Sequence, residues 1–230
     1  MVAGFETRNT ANVIQVDSTN RNFLLIKSGQ FTYDGSNQPA LAARWVAEQP
    51  KGQTAASLMV LKPSIPNRWI RPSTGGYQGS TKLCNFAYER WGAGVSGAFQ
   101  YYIFDLVAPS LADRLGLQAF DAQGNLTYNA LDYPLRILYA SHEPPASGYV
   151  APHPNFAFGC LSGGKDVNND DIDVECYYTY MCYNGNTVLT QQRYDEYGDP
   201  EGAGVGNWGD SAATLLVADV SNIPLNWSRQ

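Results

Sequence analysis

The chain has 230 residues, 44% of them hydrophobic, which suffices to bury the core of one large β domain or of two smaller ones. A formal charge of −6 without any Lys/Arg cluster argues against nucleic-acid binding, and no apolar run approaches the ~20 residues of a membrane span. Aromatic residues reach 13% while charged residues stay at 16%, which favours an all-β protein that acts through surface contacts. The N-terminal residues lack a signal-peptide pattern, so we expect folding in a cytoplasm.

The first predicted elements recur later in the chain. Residues 4–28 align without gaps to residues 116–140, at a constant offset of 112. Each copy is typical of three short strands separated by polar turns. In the second copy residues 121–125, with Gly124, supply the positive φ that a hairpin needs, and residues 9–12 do so in the first copy with Asn12 in place of Gly. The pattern predicts a duplicated unit, with chance similarity of two hairpins as the alternative.

The middle of each copy is irregular. In the first, residues 45–60 are compatible with strand, the proline-containing segment Lys62 to Pro66 follows, and a turn is predicted over residues 73–77. In the second, the prolines between residues 144 and 154 mark a long loop, and residues 163–173 form a polar loop.

Both copies end in an apolar run that closes on an aspartate. Residues 99–105 resemble residues 213–219 at an offset of 114, and we predict them to be the last and most buried strand of each unit. Residues 110–115 lie between the copies and indicate a short linker turn that Ser110 caps and Gly116 stops. We therefore predict two tandem related modules, residues 1–114 and 115–230, each β-sandwich-like or barrel-like with little helix.

Cysteine spacing argues against a zinc site, because the four cysteines form no repeated CxxC pair and the chain has only two histidines. We expect free thiols that pack as small hydrophobic side chains. The alternative under oxidising conditions is a disulfide that joins Cys182 to Cys176 or to Cys160. The fourth cysteine of the chain is Cys84.

The acidic segment 165–175 resembles a calcium loop only in part. Asp166, Asn168 and Asp170 have the spacing of the first three ligands, but Asp171 replaces the required glycine and Tyr177 the final glutamate. We predict a solvated hairpin loop over Asp166–Asp173, with bound calcium as the alternative.

Other candidate chemistry is equally weak. His142 and His153 are the only imidazoles, and no Gly-x-Ser-x-Gly elbow accompanies them, so we expect surface histidines. Asp105 and Asp219 occupy equivalent positions, which favours a shared turn role over a pair of different catalytic acids. The glycines at 75–76 and 202–206 lack a following helix and a P-loop lysine. We predict no catalytic, cofactor-binding or metal-binding residues, and no enzyme.

The segments 194–208 and 69–91 combine aromatic residues with flexible glycine. Such segments suit packing against a protein neighbour, or stacking on a sugar as the alternative.

The segment 116–126, GLQAFDAQGNL, followed by Pro134 to Ile137, resembles an opening found in small structural proteins of tailed bacteriophages. Residues 3–9 echo it, although the first copy lacks the turn glycine. The resemblance covers less than a quarter of the chain and carries no functional residues with it. It implies a virion protein of the tail tip or baseplate, made in the host cytoplasm, that contacts other tail or fibre proteins, with the trimeric arrangement that is a property of tail ends. A carbohydrate- or receptor-binding module of the tail is the alternative.

Overall fold

The computed structural model describes residues 6–8, 14–17, 22–33, 43–46, 58–78, 81–88, 97–110, 117–160, 165–169, 174–195, 208–210 and 214–228. Most of these residues lie in strands, and the described helical content is one 3-10 turn, which confirms the all-β prediction.

The described strands of the first half are β1 (Glu6–Arg8), β2 (Ile14–Asp17), β3 (Leu24–Tyr33), β4 (Ala43–Val46), β5 (Leu58–Pro63), β6 (Ile70–Gln78), β7 (Thr81–Tyr88) and β8 (Gly97–Asp105). Those of the second half are β9 (Gln118–Phe120), β10 (Leu126–Asn129), β11 (Arg136–Ser141), β12 (Tyr149–Val150), β13 (Phe156–Cys160), β14 (Lys165–Asn169), β15 (Val174–Asn184), β16 (Thr187–Asp195), β17 (Trp208–Asp210) and β18 (Leu215–Asp219), with the 3-10 helix η1 (Ala130–Asp132) after β10.

Two large antiparallel sheets organise these strands. The first has six strands in the order β11-β18-β13-β5-β8-β3. The second has eight, with β12-β16-β15-β6-β7-β4 as its main path; β14 pairs with β15, and β17 pairs with β14. Each sheet takes strands from both residues 1–114 and residues 115–230, joined by the pairs β5–β13 and β6–β15. The predicted boundary near residue 114 falls outside the described residues, and the division into modules stays a prediction.

Side chains on the six-stranded sheet alternate between two cores, as the two-residue period of a strand requires. In β8, Phe99 and Ile103 enter the first core cluster, whereas Tyr102 and Phe104 enter the second. All five residues of β18 are buried for the same reason, which confirms the prediction of a buried final strand.

The first cluster lies between the two sheets. Leu61 and Phe158 of the six-stranded sheet share it with Ile70, Met181 and Val188 of the eight-stranded sheet. All five side chains are at most 1% exposed. Burial of this shared apolar face holds the sheets together, because each fully buried aliphatic or aromatic side chain stabilises the fold by about 1.5–3 kcal/mol.

The six-stranded sheet curls until its edge strands meet. A bridge joins Leu24 of β3 to Pro134, just before β11. Leu25 N donates to the carbonyl of Tyr133 (3.0 Å), and Leu135 N donates to the carbonyl of Phe23 (2.8 Å). The face turned away from the other sheet is therefore the inside of the curl. There the second cluster includes Val60, Ala157 and Ala218, with Trp227 packed against it.

Of two predicted turns, one is confirmed and the other is wrong. Gly124 has φ of 81° in the hairpin turn between β9 and β10, which confirms the predicted turn of the second copy. The turn predicted over residues 73–77 is wrong, because these residues belong to β6. The register of β6 shifts between Thr74 and Tyr77, so the glycine pair marks an irregularity within a strand rather than its end. The turn of the first copy, residues 9–12, lies outside the described residues.

Candidate functional site

Asp219 lies at the centre of a cluster of polar side chains that includes Arg136, His153 and Ser221. It ends β18, where its backbone pairs with Arg136 of β11 on one side and with Phe156 of β13 on the other. Its carboxylate is only 5% exposed, and Arg136 Nη2 lies 3.0 Å from Asp219 Oδ2. Because strand pairing fixes both backbones, the ion pair is set by the sheet rather than by a loop.

Ser221 and His153 approach the other carboxylate oxygen. The backbone N and the hydroxyl of Ser221 both donate to Asp219 Oδ1, at 2.9 and 2.6 Å. His153 Nε2 lies 3.6 Å from the same oxygen. On the opposite side of the imidazole ring, Nδ1 is buried without a hydrogen-bond partner among the described residues.

These neighbours set the charge state of Asp219. Burial of the carboxylate raises its pKa, but the hydrogen bonds from Ser221 and the charges of Arg136 and His153 outweigh burial, so the net pKa lies below its ordinary value. The carboxylate is therefore ionised at neutral pH.

The cluster does not have the order of a catalytic triad. In a triad the histidine lies between the serine and the carboxylate, so that it can accept the hydroxyl proton. Here the Ser221 hydroxyl donates to Asp219 itself, on the oxygen that also faces His153. What the arrangement does is tie together the ends of three strands, β11, β13 and β18, and the turn that follows them.

Asp105 ends β8 in the same way and is also buried. Its Oδ1 accepts a hydrogen bond from Leu106 N at 2.6 Å, as a turn role requires. The strand registers place Asp105 beyond Leu58 and Asp219 beside the Pro63 end of β5. The two aspartates therefore lie beside opposite ends of β5, which has six residues. Since each residue of a strand rises about 3.3 Å, the two carboxylates are roughly 20 Å apart, too far to act as a pair on one glycosidic bond.

His142 lies in a different environment from His153. It is exposed, and its Nδ1 is 3.2 Å from the hydroxyl of Thr214. The two histidines thus contact different partners, and His153 is less exposed than the sequence predicts.

The loop predicted over Asp166–Asp173 is wrong in its first part, because residues 166–169 lie in strand β14. Asp166 and Asn168 belong to β14, whose backbone pairs with both β15 and β17. A calcium loop of the EF-hand type wraps its first ligands around the ion, which extended and paired backbone does not do. Residues 170–173 lie outside the described residues. In the described ranges, no group of three or more His, Cys, Asp or Glu side chains is placed to hold a metal ion.

Cys182 lies in β15 and is 1% exposed as a free thiol. Burial raises the pKa of this thiol to about 11. The thiolate is the reactive form of cysteine, so this side chain is chemically inert at neutral pH. Of the glycine- and aromatic-rich segments, residues 70–78 and 81–88 form β6 and β7, whereas residues 196–207 lie outside the described residues.

The sequence reasoning missed three exposed apolar side chains on residues 117–132, a segment that we call the hairpin unit. It comprises β9, β10 and η1, and it forms a two-stranded sheet separate from the two large ones. Leu117, Phe120 and Leu131 are 54, 50 and 48% exposed. Leu117 and Leu131 are close neighbours, because Ala130 N donates to the carbonyl of Leu117. The sequence signal that could have revealed these exposed side chains is Phe120. It is an apolar residue at a position where the alternation of apolar and polar residues along β9 calls for a polar one.

The hairpin unit is held rigidly. Asp121 Oδ1 accepts hydrogen bonds from the backbone N of Gln123 (2.9 Å) and of Asn125 (2.8 Å), and its Oδ2 accepts one from the Asn125 side chain (2.8 Å). Hydrogen bonds from the side chain and backbone of Asn125 are the main reason why the pKa of Asp121 is lowered. At the other end Asn129 caps η1, and Asp132 accepts a hydrogen bond from Ser110 N (2.6 Å).

The fold defines an all-β protein of two packed antiparallel sheets, with the buried carboxylate of Asp219 paired to the half-exposed Arg136 at one end of the six-stranded sheet. Comparison of the chain with protein-family models, with curated proteins and with solved structures gives no match. In the part of the chain that the structure describes, no helix has the length and apolar character to cross a membrane.

Proposed function

We propose that the protein is a structural component of a bacteriophage tail tip or baseplate, held in the virion by contacts with neighbouring tail and fibre proteins. The observation that carries this proposal is the exposure of three large apolar side chains on the hairpin unit, Leu117, Phe120 and Leu131. They lie on residues 117–132, which contain most of the segment that resembles structural proteins of tailed phages.

The free energy of removing these three side chains from water favours a partner that covers them. Single exposed apolar side chains are ordinary on protein surfaces, but here three large ones are exposed within the short hairpin unit. Each is about half exposed, so removing the exposed part from water gains about 1 kcal/mol per side chain. Because the turn and cap hydrogen bonds already fix the unit, little ordering entropy opposes the contact.

The polar clusters are consistent with a protein that acts through its surface. The carboxylate of Asp219 accepts from Ser221 and pairs with Arg136, contacts that stabilise strand ends. We therefore propose a non-enzymatic role, with synthesis in the host cytoplasm before incorporation into the tail. The neighbours are other tail, baseplate or fibre proteins, and three copies around the tail axis suit such a position.

Quantitative mass spectrometry of purified and dissociated particles tests the proposal. We expect the chain in a fixed ratio to other tail proteins, and that ratio should survive repeated gradient purification. Loss of the chain during purification would contradict the virion role. Binding of the purified protein to members of a glycan array would instead support the alternative, a receptor- or carbohydrate-binding module.

A further inference from the structure

Strand pairing repeats between the two halves of the chain, residues 1–114 and 115–230. In the first half β1 pairs with β2, β8 lies between β3 and β5, and β7 lies between β4 and β6. In the second half β9 pairs with β10, β18 lies between β11 and β13, and β16 lies between β12 and β15. Among the described strands, β14 and β17 are additions to the second half. The remaining eight strands of each half correspond one to one.

The correspondence extends to single residues. The starts of β9, β10 and β11 differ from those of β1, β2 and β3 by one constant offset, 118 − 6 = 126 − 14 = 136 − 24 = 112. The pairing of β3 shifts register between Leu25 and Lys27, and that of β11 shifts between Ile137 and Tyr139, again at the offset of 112. A bulge is an optional irregularity of a strand pair, so its recurrence at the equivalent position is a specific similarity.

The same comparison fixes the offset of the neighbouring strands. Leu24 pairs with Asp105, and Arg136, the counterpart of Leu24 at the offset of 112, pairs with Asp219. Strands β8 and β18 therefore correspond at an offset of 219 − 105 = 114.

One step further gives the offset of β5 and β13. Leu58 pairs with Phe104, and Ala218, the counterpart of Phe104 at the offset of 114, pairs with Ala157. Leu58 thus corresponds to Ala157, at an offset of 157 − 58 = 99.

At two of the places where the halves meet, a residue faces its own counterpart. Phe23 and Leu135, which correspond at the offset 135 − 23 = 112, lie opposite each other and share a 2.8 Å hydrogen bond. The pairing of β5 with β13 places Val60 opposite Gly159, which correspond at the offset 159 − 60 = 99. Two similar modules joined in an arbitrary way have no reason to meet in this register, whereas a two-fold axis requires it.

We propose that the chain is a two-fold dimer within one polypeptide, produced by tandem duplication. The face that carries β5 and β6 in the first half, and β13 and β15 in the second, is a self-complementary interface. The partner that each face fits is a second copy of the same half-chain fold. The residues paired across the junction in both sheets lie in one buried cluster: Leu61 with Phe158, and Ile70 with Met181.

A circular permutant of the full chain tests this inference, independently of the proposed function. The connection from β8 to β9 is the segment 106–117. The two-fold axis relates that path to one from β18 to β1, for which the segments 220–230 and 1–5 together supply a slightly longer chain. Joining Gln230 directly to Met1 and opening the chain between Ser110 and Leu117 should therefore leave the fold intact. We expect a native near-UV circular dichroism spectrum and a Tm within roughly 5 °C of the parent.

A second permutant, with a flexible Gly/Ser linker inserted between Gln230 and Met1, is the matched control. Folding of the long-linked permutant alone would show that the ends lie farther apart than the two-fold axis demands, and would overturn the inference. Failure of both permutants would overturn it as well, because the two-fold axis makes the path from β18 to β1 equivalent to the connection that is opened. Native behaviour of both supports it.

Discussion

Replacement of Gly159 by alanine probes the contact where the two halves of the chain join. A Cβ at this position would lie 2.3 Å from the carbonyl oxygen of Met59 and 3.3 Å from Val60 Cγ1. Since the nearest atom belongs to the backbone, β5 and β13 must move apart. Overpacking of this kind costs about 1–3 kcal/mol, and the rigid neighbour places this case near the upper end. Subtracting the roughly 0.4–1 kcal/mol that Gly→Ala gains through the unfolded chain leaves a net loss of about 2 kcal/mol.

Urea denaturation followed by tryptophan fluorescence measures this loss, with Gly97→Ala as the matched control. At Gly97 the new methyl group meets chiefly the terminal Cδ1 of Ile65, which can turn away, so we expect a change below about 1 kcal/mol. Gly159→Ala should leave the m value of urea unfolding unchanged. In thermal unfolding, a chain of this length should show a Tm lowered by roughly 4–8 °C. Equal stability of Gly159→Ala and the parent would refute the close approach of the two strands.

Three further predictions concern charge, surface and thiol chemistry. Asp219→Asn should destabilise the fold at pH 7 by about 1–3 kcal/mol. Because the folded pKa of Asp219 is lowered, its contribution to stability is present above the unfolded pKa of about 3.9 and is lost as the pH falls through the folded pKa. In equilibrium unfolding the variant should therefore lose less stability on acidification than the parent. Phe120→Ser should change stability by less than about 1 kcal/mol yet reduce incorporation into particles several-fold, as measured by immunoblot. Ala122→Ser, at another exposed position, should leave both stability and incorporation unchanged. Equal incorporation of the two variants would contradict the role of the hairpin unit. Cys182 should resist maleimide in the native protein near neutral pH and react at once in concentrated guanidinium chloride, as peptide mass spectrometry would show, and rapid native labelling would contradict its burial.

Local sequence patterns predicted local structure well. The turn after β9 follows from Asp121 and Gly124, because a side-chain acceptor and a residue that tolerates positive φ are what such a turn needs. The buried strand β18 follows from its uninterrupted apolar run. The turn predicted at residues 73–77 failed because glycine also occurs at irregularities within strands, and the sequence alone does not separate the two cases.

Long-range structure was beyond the sequence reasoning. Both large sheets include strands of both halves, and the predicted division into two modules does not say how the halves pair. Pairs such as Leu61 with Phe158 join residues that lie far apart in the chain, and no local pattern encodes such partners. The Asp219 cluster has the same origin, since Arg136 and His153 reach it only through the pairing of β11, β13 and β18.

A cryo-EM reconstruction of the distal tail, at a resolution that separates strands, tests the proposed function most directly. We expect density into which the two packed sheets fit, in a whole number of copies around the tail axis. Leu117, Phe120 and Leu131 should lie against a neighbouring protein. A tail end that contains no such density, or one in which these three side chains face solvent, would contradict the proposed function.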